Sequence, residues 1–289
     1  MKTNPNLSQL IQKGYCVFPR VLNLSLKNRL IKATNKLLDN LTDKDKELSG
    51  SQGSIFAMTY QDPAFQDLIF LPKALESLKS LGFTSVKYWS GYVIAREPLT
   101  ESSYWHQDWI FWGEKESRGE YPHQLFLMYY LTSTNKKNGC LRVIPGSHHK
   151  RCSAHDSGSG HDSGVRYEDP KTSLAYDRHH REIDVPIKSG DLLIGDARIL
   201  HSTNSNETDQ RRTVMTLWFL PRYNELSDII KRGFSKYLYK PLPDSLSSDQ
   251  MKKMKKILID DMPGSKIPEF DRTPIFFINN INTSNKMEK

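Results

Sequence analysis

The residues best suited to chemistry in this chain are His106 and Asp108, in the stretch YWHQDWIF from Tyr104 to Phe111. In an extended segment, side chains two positions apart lie on one face, so an imidazole and a carboxylate spaced this way can reach a single ion. That ligand pair suits a borderline metal such as Fe(II). Alternation along a half-buried strand would give the same pair with no chemistry at all, so the chelating reading requires a third ligand from elsewhere in the chain.

Nine histidines are available to supply it. His148, His149, His155, His161, His179 and His180 sit in a polar insert whose Gly and Ser spacing offers no fixed geometry, and they are expected to be solvated or disordered. His123 follows Pro122 at the start of a strand. His201 has the better setting: it follows the apolar run GDLLIGDARIL and precedes a polar turn that leads into RRTVMTLWFLP, a pattern that reads as an antiparallel hairpin with the histidine near a strand end. Arg211 and Arg212 enter that last strand together, and alternation turns one inward. A buried arginine needs an anion. Two alternatives stay open here: Arg212 paired at the surface with Asp209 or Glu207, and Arg211 pointing inward if the register slips by one.

These residues must be held by a scaffold, and the periodicity describes one. Residues 7–48 carry helical spacing, with Leu26, Leu30, Ile31, Leu37 and Leu38 on one side and Asn23 or Ser25 as the start signal. YCVFPRVL reads as a short buried strand. From Lys87 onward VKYWSGYVIAREP, HQLFLMYYLTS, CLRVIPGS, IDVPIKSGDLLIGDA and RRTVMTLWFLP are strand-like runs, which suggest an antiparallel sandwich or barrel. The expected division is one domain, 1–289: a helical part over about 7–85, a β core over about 86–222 carrying a lid insert at 147–182, and a helical extension over 223–289. Within the extension, QMKKMKKILIDDM spaces Met251, Met254 and Ile257 as an amphipathic helix, whereas IPEFDRTPIFFINN resists assignment.

Composition narrows the classes. The chain has 289 residues, with hydrophobic content of 37% and aromatics of 10%, as expected of a globular protein. No apolar run approaches the roughly 18 residues of a membrane span. The start MKTNPNLSQLIQKGYCVF lacks the pattern of a signal peptide, and Cys16, Cys140 and Cys152 are odd in number without CxxC spacing. Cytoplasmic residence is therefore expected. The net charge of +8 favours anionic small partners, but the lysines are spread rather than clustered, so a nucleic-acid partner is not expected. A zinc hydrolase is disfavoured because nothing near the histidines resembles HExxH.

Taken in order, His106-Gln107-Asp108, His201 and Arg212, eleven positions later, resemble the HxD…H…R pattern of the phytanoyl-CoA dioxygenase family. GYCVFPRVL and NGCLRVIPGSHHK (Asn138–Lys150) resemble two further segments of that family, so the resemblance spans roughly residues 8–222. It implies a mostly β fold with flanking helices around a double-stranded β-helix, a cupin-like jelly-roll core. It further implies an Fe(II)- and 2-oxoglutarate-dependent dioxygenase that consumes O2, with His106, Asp108 and His201 as the 2-His-1-carboxylate metal ligands. Arg212 would clasp the distal carboxylate of 2-oxoglutarate, Thr203 would add a hydroxyl to it, and Trp105, Trp109, Phe111 and Trp112 would wall the pocket. Because Asp108 is present where halogenating members carry a small residue, hydroxylation is the expected outcome. The expected partner is a small-molecule substrate, a polar specialised metabolite. An acyl-coenzyme A or amino-acid-like substrate, or a non-catalytic metabolite-binding role, is the alternative.

Overall fold

The computed structural model describes residues 4–49, 55–57, 62–157, 164–236, 246–272 and 274. Helix α1 (Pro5–Lys13) begins where the Asn4 side chain caps two backbone amides, and it stops at Gly14, whose φ of 85° suits glycine. Strand β1 (Tyr15–Phe18) follows, and then α2 (Leu24–Asp39), capped by Asn23 as its sequence signals. After α3 (Asp43–Ser49) come β2 (Ile55–Ala57), α4 (Pro63–Ile69), α5 (Pro72–Ser80) and the long β3 (Lys87–Arg96). Six strands complete the β core: β4 (Leu125–Tyr130), β5 (Leu141–Val143), β6 (Ile183–Val185), β7 (Leu192–Asp196), β8 (His201–Thr203) and β9 (Arg212–Leu220). Helices α6 (Asp228–Lys236) and α7 (Ser248–Ile257) lie beyond it.

The strands form two antiparallel sheets, one ordered β1-β7-β4-β9-β3-β2 and the other β6-β5-β8. Alternation sorts the larger sheet's side chains. Leu125, Leu127 and Tyr129 of β4, with Met215, Leu217 and Phe219 of β9, pack against the helical layer that includes Leu30, Phe65, Leu78 and Met254. Phe126, Met128, Tyr130 and Val214 face the other way and meet Leu141 and Val143 of the smaller sheet. This two-layer antiparallel arrangement with a helical coat is the jelly-roll core that the sequence resemblance implies.

Two expectations need correction, and one strand carries an irregularity. The run IDVPIKSGDLLIGDA is two strands, β6 and β7, in different sheets, because the turn at Gly190, with φ of 92°, separates them. The hairpin read around His201 is absent among the described residues: β7 and β9 both pair with β4, while His201 opens β8, which pairs with β5. In β3 the register shifts between Tyr88 and Ser90, so that even-numbered Tyr88 and odd-numbered Val93 and Ala95 all enter the helix-facing core. A bulge reverses alternation downstream, which leaves Tyr92 and Arg96 on the inner face.

Candidate metal and cosubstrate site

His106 lies in an extended segment rather than a named strand, held to His201 by a reciprocal pair of backbone hydrogen bonds, each 3.0 Å from N to O. Two residues on, the amides of Asp108 and Trp109 both donate to the carbonyl of Ala197, at 2.7 and 2.9 Å. Gln107, fully buried between the two, donates its Nε2 to the Arg198 carbonyl. The segment bearing two of the candidate ligands is thus stitched to the chain that bears the third.

The stitching brings the three side chains together. One potential ligand atom from each of His106, Asp108 and His201 lies within 4.8 Å of the others. No other group of three or more His, Cys, Asp or Glu side chains is so placed among the described residues. His201 Nε2 is 3.8 Å from Asp108 Oδ2, and both residues are buried. The tautomers follow from the partners. His106 Nδ1 lies 3.0 Å from the Tyr104 carbonyl and His201 Nδ1 lies 3.1 Å from the Ile199 carbonyl. A carbonyl can only accept, so each Nδ1 carries the proton and each Nε2 keeps its lone pair for a metal. Asp108 Oδ2 accepts from Trp218 Nε1 at 2.8 Å, which orients the carboxylate. Beneath His201 the Phe126 ring sits 4.9 Å away between centroids, in space available only because position 195 is glycine. A Cβ there would fall 2.1 Å from that ring.

Arg212 occupies the inner face of β9 and is 2% exposed. Its Nε and Nη2 have no hydrogen-bond partner among the described residues. Burial pushes its guanidinium down to about 10, opposed by Tyr130 and Cys140 nearby, so it remains cationic at neutral pH. Arg211 instead points outward and pairs with Glu97 at 2.9 Å and Asp39 at 2.7 Å. Between Arg212 and Trp218 on the same face of β9 lies Thr216, whose buried Oγ1 also has no partner among the described residues. Buried donors left open in this way fit a ligand that brings oxygen atoms, and the distal carboxylate of 2-oxoglutarate is such a group. Thr203 closes β8 with its hydroxyl donating to Ser103 Oγ at 3.1 Å, so a bond from Thr203 to a cosubstrate requires that hydroxyl to rotate.

The large aromatics have other work than the one expected of them. Trp109, Phe111 and Trp112 pack with Tyr223, Ile230 and Phe234, locking the ligand segment onto α6. Trp105 donates from Nε1 to the Asp177 carbonyl at 2.7 Å and lies under the Arg142 guanidinium. The rings at the ligands are Tyr104 against His106, Phe126 against His201, and Trp218. Three insert histidines also depart from the expected solvated state. His148, His155 and His179 are buried, and His148 Nε2 meets the Ile11 carbonyl at 2.8 Å. The tract AHDSGSGHDSG, read as linker, lies partly outside the described residues; Ala154–Asp156 within it are part of a short 3₁₀ turn, Ser153–Asp156.

Comparison with known proteins agrees with this geometry. The model of the phytanoyl-CoA dioxygenase family matches residues 10–214, more than half the chain, and the chain belongs to that family. A phytanoyl-CoA dioxygenase domain-containing protein 1 homolog of Caenorhabditis elegans is 23% identical, over 64% of this chain and 66% of that protein. L-proline trans-4-hydroxylase of Streptomyces griseoviridis is 28% identical, over 40% of this chain and 47% of that protein. The chain therefore spans about half to two thirds of the length of such relatives. Among solved structures, HygX from Streptomyces hygroscopicus with nickel, 2-oxoglutarate and hygromycin B bound superposes with a TM-score of 0.58 at 16% identity, over 95% of this chain and 99% of that one. The epimerase SnoN in complex with Fe3+, alpha ketoglutarate and nogalamycin RO gives 0.56 at 18% identity, covering 74% of this chain and 82% of that one.

Proposed function

We propose that this protein is an Fe(II)- and 2-oxoglutarate-dependent hydroxylase of an unactivated C–H bond in a small polar metabolite. The observation that carries the reading is a pairing of two features: two imidazole Nε2 atoms and a carboxylate converge, while a buried guanidinium on the larger sheet keeps donors with no partner among the described residues. His106, Asp108 and His201 would hold the iron, and Arg212 would pair with the far carboxylate of the cosubstrate. Thr203 is proposed as a further hydroxyl toward that carboxylate. Bound iron and 2-oxoglutarate supply the activation of O2 and the oxidising power. The chain's own part is to fix the ligand geometry through the His106–His201 backbone pair, to orient Asp108 through Trp218, and to bury the reacting centre.

The substrate class draws support from the names of similar proteins, which include an L-proline hydroxylase and two enzymes of nogalamycin biosynthesis. Tailoring of a specialised metabolite is the role we infer. Cytoplasmic residence fits three cysteines that are buried and unbridged, and no described helix is long and apolar enough to cross a membrane. Anaerobic titration with Fe(II) and 2-oxoglutarate tests the reading through the visible charge-transfer band of the ternary complex. The band forms in the wild type, and His106→Ala, Asp108→Ala and His201→Ala each abolish turnover of 2-oxoglutarate to succinate. Full activity in any one of these variants removes that residue from the site.

A further inference from the structure

The segment after α7 returns to the metal-ligand segment in a way the family motif does not foreshadow. Asp271 donates its amide to the Ile110 carbonyl at 2.9 Å and accepts from the Trp112 amide at 3.1 Å, a parallel bridge centred on Phe111. Gly233 of α6 makes room for this return: a Cβ there would fall 2.6 Å from the Pro268 ring and 2.5 Å from Phe111. The strap so placed carries Arg272 to the carbonyl of Gln107, the residue between the two ligands, at 3.5 Å from Nη1. The Arg272 guanidinium stacks over Phe270 at 5.2 Å, and its buried Nε has no partner among the described residues.

The groups facing Arg272 are few. Asp108, Tyr104 and Tyr92 lie close enough to favour its charge, and Arg166, from the turn Val165–Tyr167 of the insert, opposes it. Arg166 is itself hydrogen-bonded to Tyr104. Two guanidinium groups from opposite ends of the fold therefore converge at Tyr104, with Asp108 as the carboxylate among the groups acting on Arg272. A divalent ion held by His106, Asp108 and His201 would draw on that carboxylate. Arg272 would then be a half-buried cation with a weakened counter-charge, and such a cation favours an anion.

We propose that Arg272, assisted by Arg166, is the substrate anchor, and that the substrate presents a carboxylate or comparable oxyanion to it. This rests on the oxygenase reading and narrows its substrate class to anions or zwitterions. The planar fork of an arginine suits two oxygens of one group, and a fixed anion at this point sets which carbon of the substrate faces the iron.

The test uses a matched pair of inert probes, methanesulfonate and its neutral analogue dimethyl sulfone, added anaerobically to the full chain loaded with Fe(II) and saturating 2-oxoglutarate. Calorimetry reads binding, and the charge-transfer band reads proximity to the metal. The wild type responds to methanesulfonate and not to dimethyl sulfone. Arg272→Gln weakens methanesulfonate by about tenfold or more, and Arg272→Lys recovers part of the loss, with Fe(II) titration of both variants as the folding control. Equal affinity for the two probes, no response to methanesulfonate, or an unchanged affinity in Arg272→Gln overturns the proposal. So does a loss in Arg272→Gln that falls on 2-oxoglutarate instead, since Arg272 would then belong to the cosubstrate. Failure of the wild type to form the band is a different result and overturns the oxygenase reading itself.

Discussion

Arg198 and Arg212 are two arginines of one β core, each 2% exposed, and they are treated in opposite ways. Arg198 is saturated. Its Nε and Nη2 meet the two oxygens of Asp196 at 3.0 and 2.7 Å, and its Nη1 meets the carbonyls of Ser117 and Gly119 at 3.0 and 2.6 Å. Although burial works the other way, Arg198 holds the Asp196 carboxyl below its usual range. Arg212 has no acidic partner among the described residues, and burial drives its own pKa down. The first arginine has its anion in the sequence; the second has no acidic partner among the described residues, and the proposed reading supplies one from solution. Burial alone therefore does not separate these two arginines; the presence or absence of an acidic partner does.

The most severe test of that contrast is stability. Asp196→Ala leaves the Arg198 charge sealed and unpaired, and should cost about 3–5 kcal/mol in urea unfolding. Arg212→Met removes a charge that has no acidic partner among the described residues, so it should be neutral or stabilising in the ligand-free protein. Equal destabilisation by the two variants would show that Arg212 is as structural as Arg198.

Binding should reverse the ranking. Arg212→Ala is expected to weaken 2-oxoglutarate by about 2–5 kcal/mol, a rise of about 30-fold to several thousand-fold in Kd. Arg211→Ala loses only its partly exposed pairs with Glu97 and Asp39, and should change that Kd by less than about threefold. Fluorescence or calorimetric titration of both variants decides the matter, and the reverse order would move the cosubstrate to the other face of β9.

A smaller effect is expected at the carboxylate. Trp218→Phe keeps the ring but deletes the donor to Asp108 Oδ2, and Fe(II) affinity should fall about 10–100-fold by competition with a chelator. An unchanged affinity would show that the carboxylate is oriented by other means.

The histidines repeat the contrast on a finer scale, since His201 offers its Nε2 to a metal while His155 is sealed in the insert. Burial pushes the His155 imidazole down to about 4, from 6.5 when exposed. Its folded-state pKa is depressed and the neutral form is the one buried. The unfolded chain therefore takes up the proton first, and stability should be lost as pH falls from about 6.5 towards about 4. His155→Gln should flatten that pH dependence by about 1–2 kcal/mol in urea midpoints measured across this window. A slope identical to wild type would assign the acid sensitivity to other groups.

How much of this the sequence discloses depends on whether the controlling contact is local. The i, i+2 spacing of His106 and Asp108, a cap at Asn23 or Ser25 and the inward turn of one of Arg211 and Arg212 are properties of neighbouring residues, and periodicity reports them; that the cap is Asn23 and the inward residue Arg212 is settled by the fold. The partner of a side chain across the fold is not a property of neighbouring residues. Trp218 reads as one more apolar strand residue until Asp108 is seen against it, and Arg272 sits in a stretch with no regular period at all. The aromatic residues around His106 were visible but their direction was not, because alternation gives a face without saying what that face meets. The bulge in β3 hides for a related reason: one extra residue inverts the parity on which the whole reading depends.

The backbone pair joining His106 to His201 has one more consequence, which concerns how such a protein can vary. The two ligands are rungs of a ladder, so everything from residue 107 to residue 200 is a closed excursion that leaves and returns at fixed points. Lengthening a flexible stretch inside such a loop costs little, about 0.6 kcal/mol for each doubling. In the segment between β5 and β6, which carries Arg166, length can therefore change at exposed stretches without moving the imidazoles, whereas Ser147, Ala175 and Asp177 bond to Leu200 and Trp105 beside them and stay in place. The chemistry and the choice of molecule are separately adjustable parts of one chain, and new selectivity can be acquired by rewriting a detour rather than the metal's address.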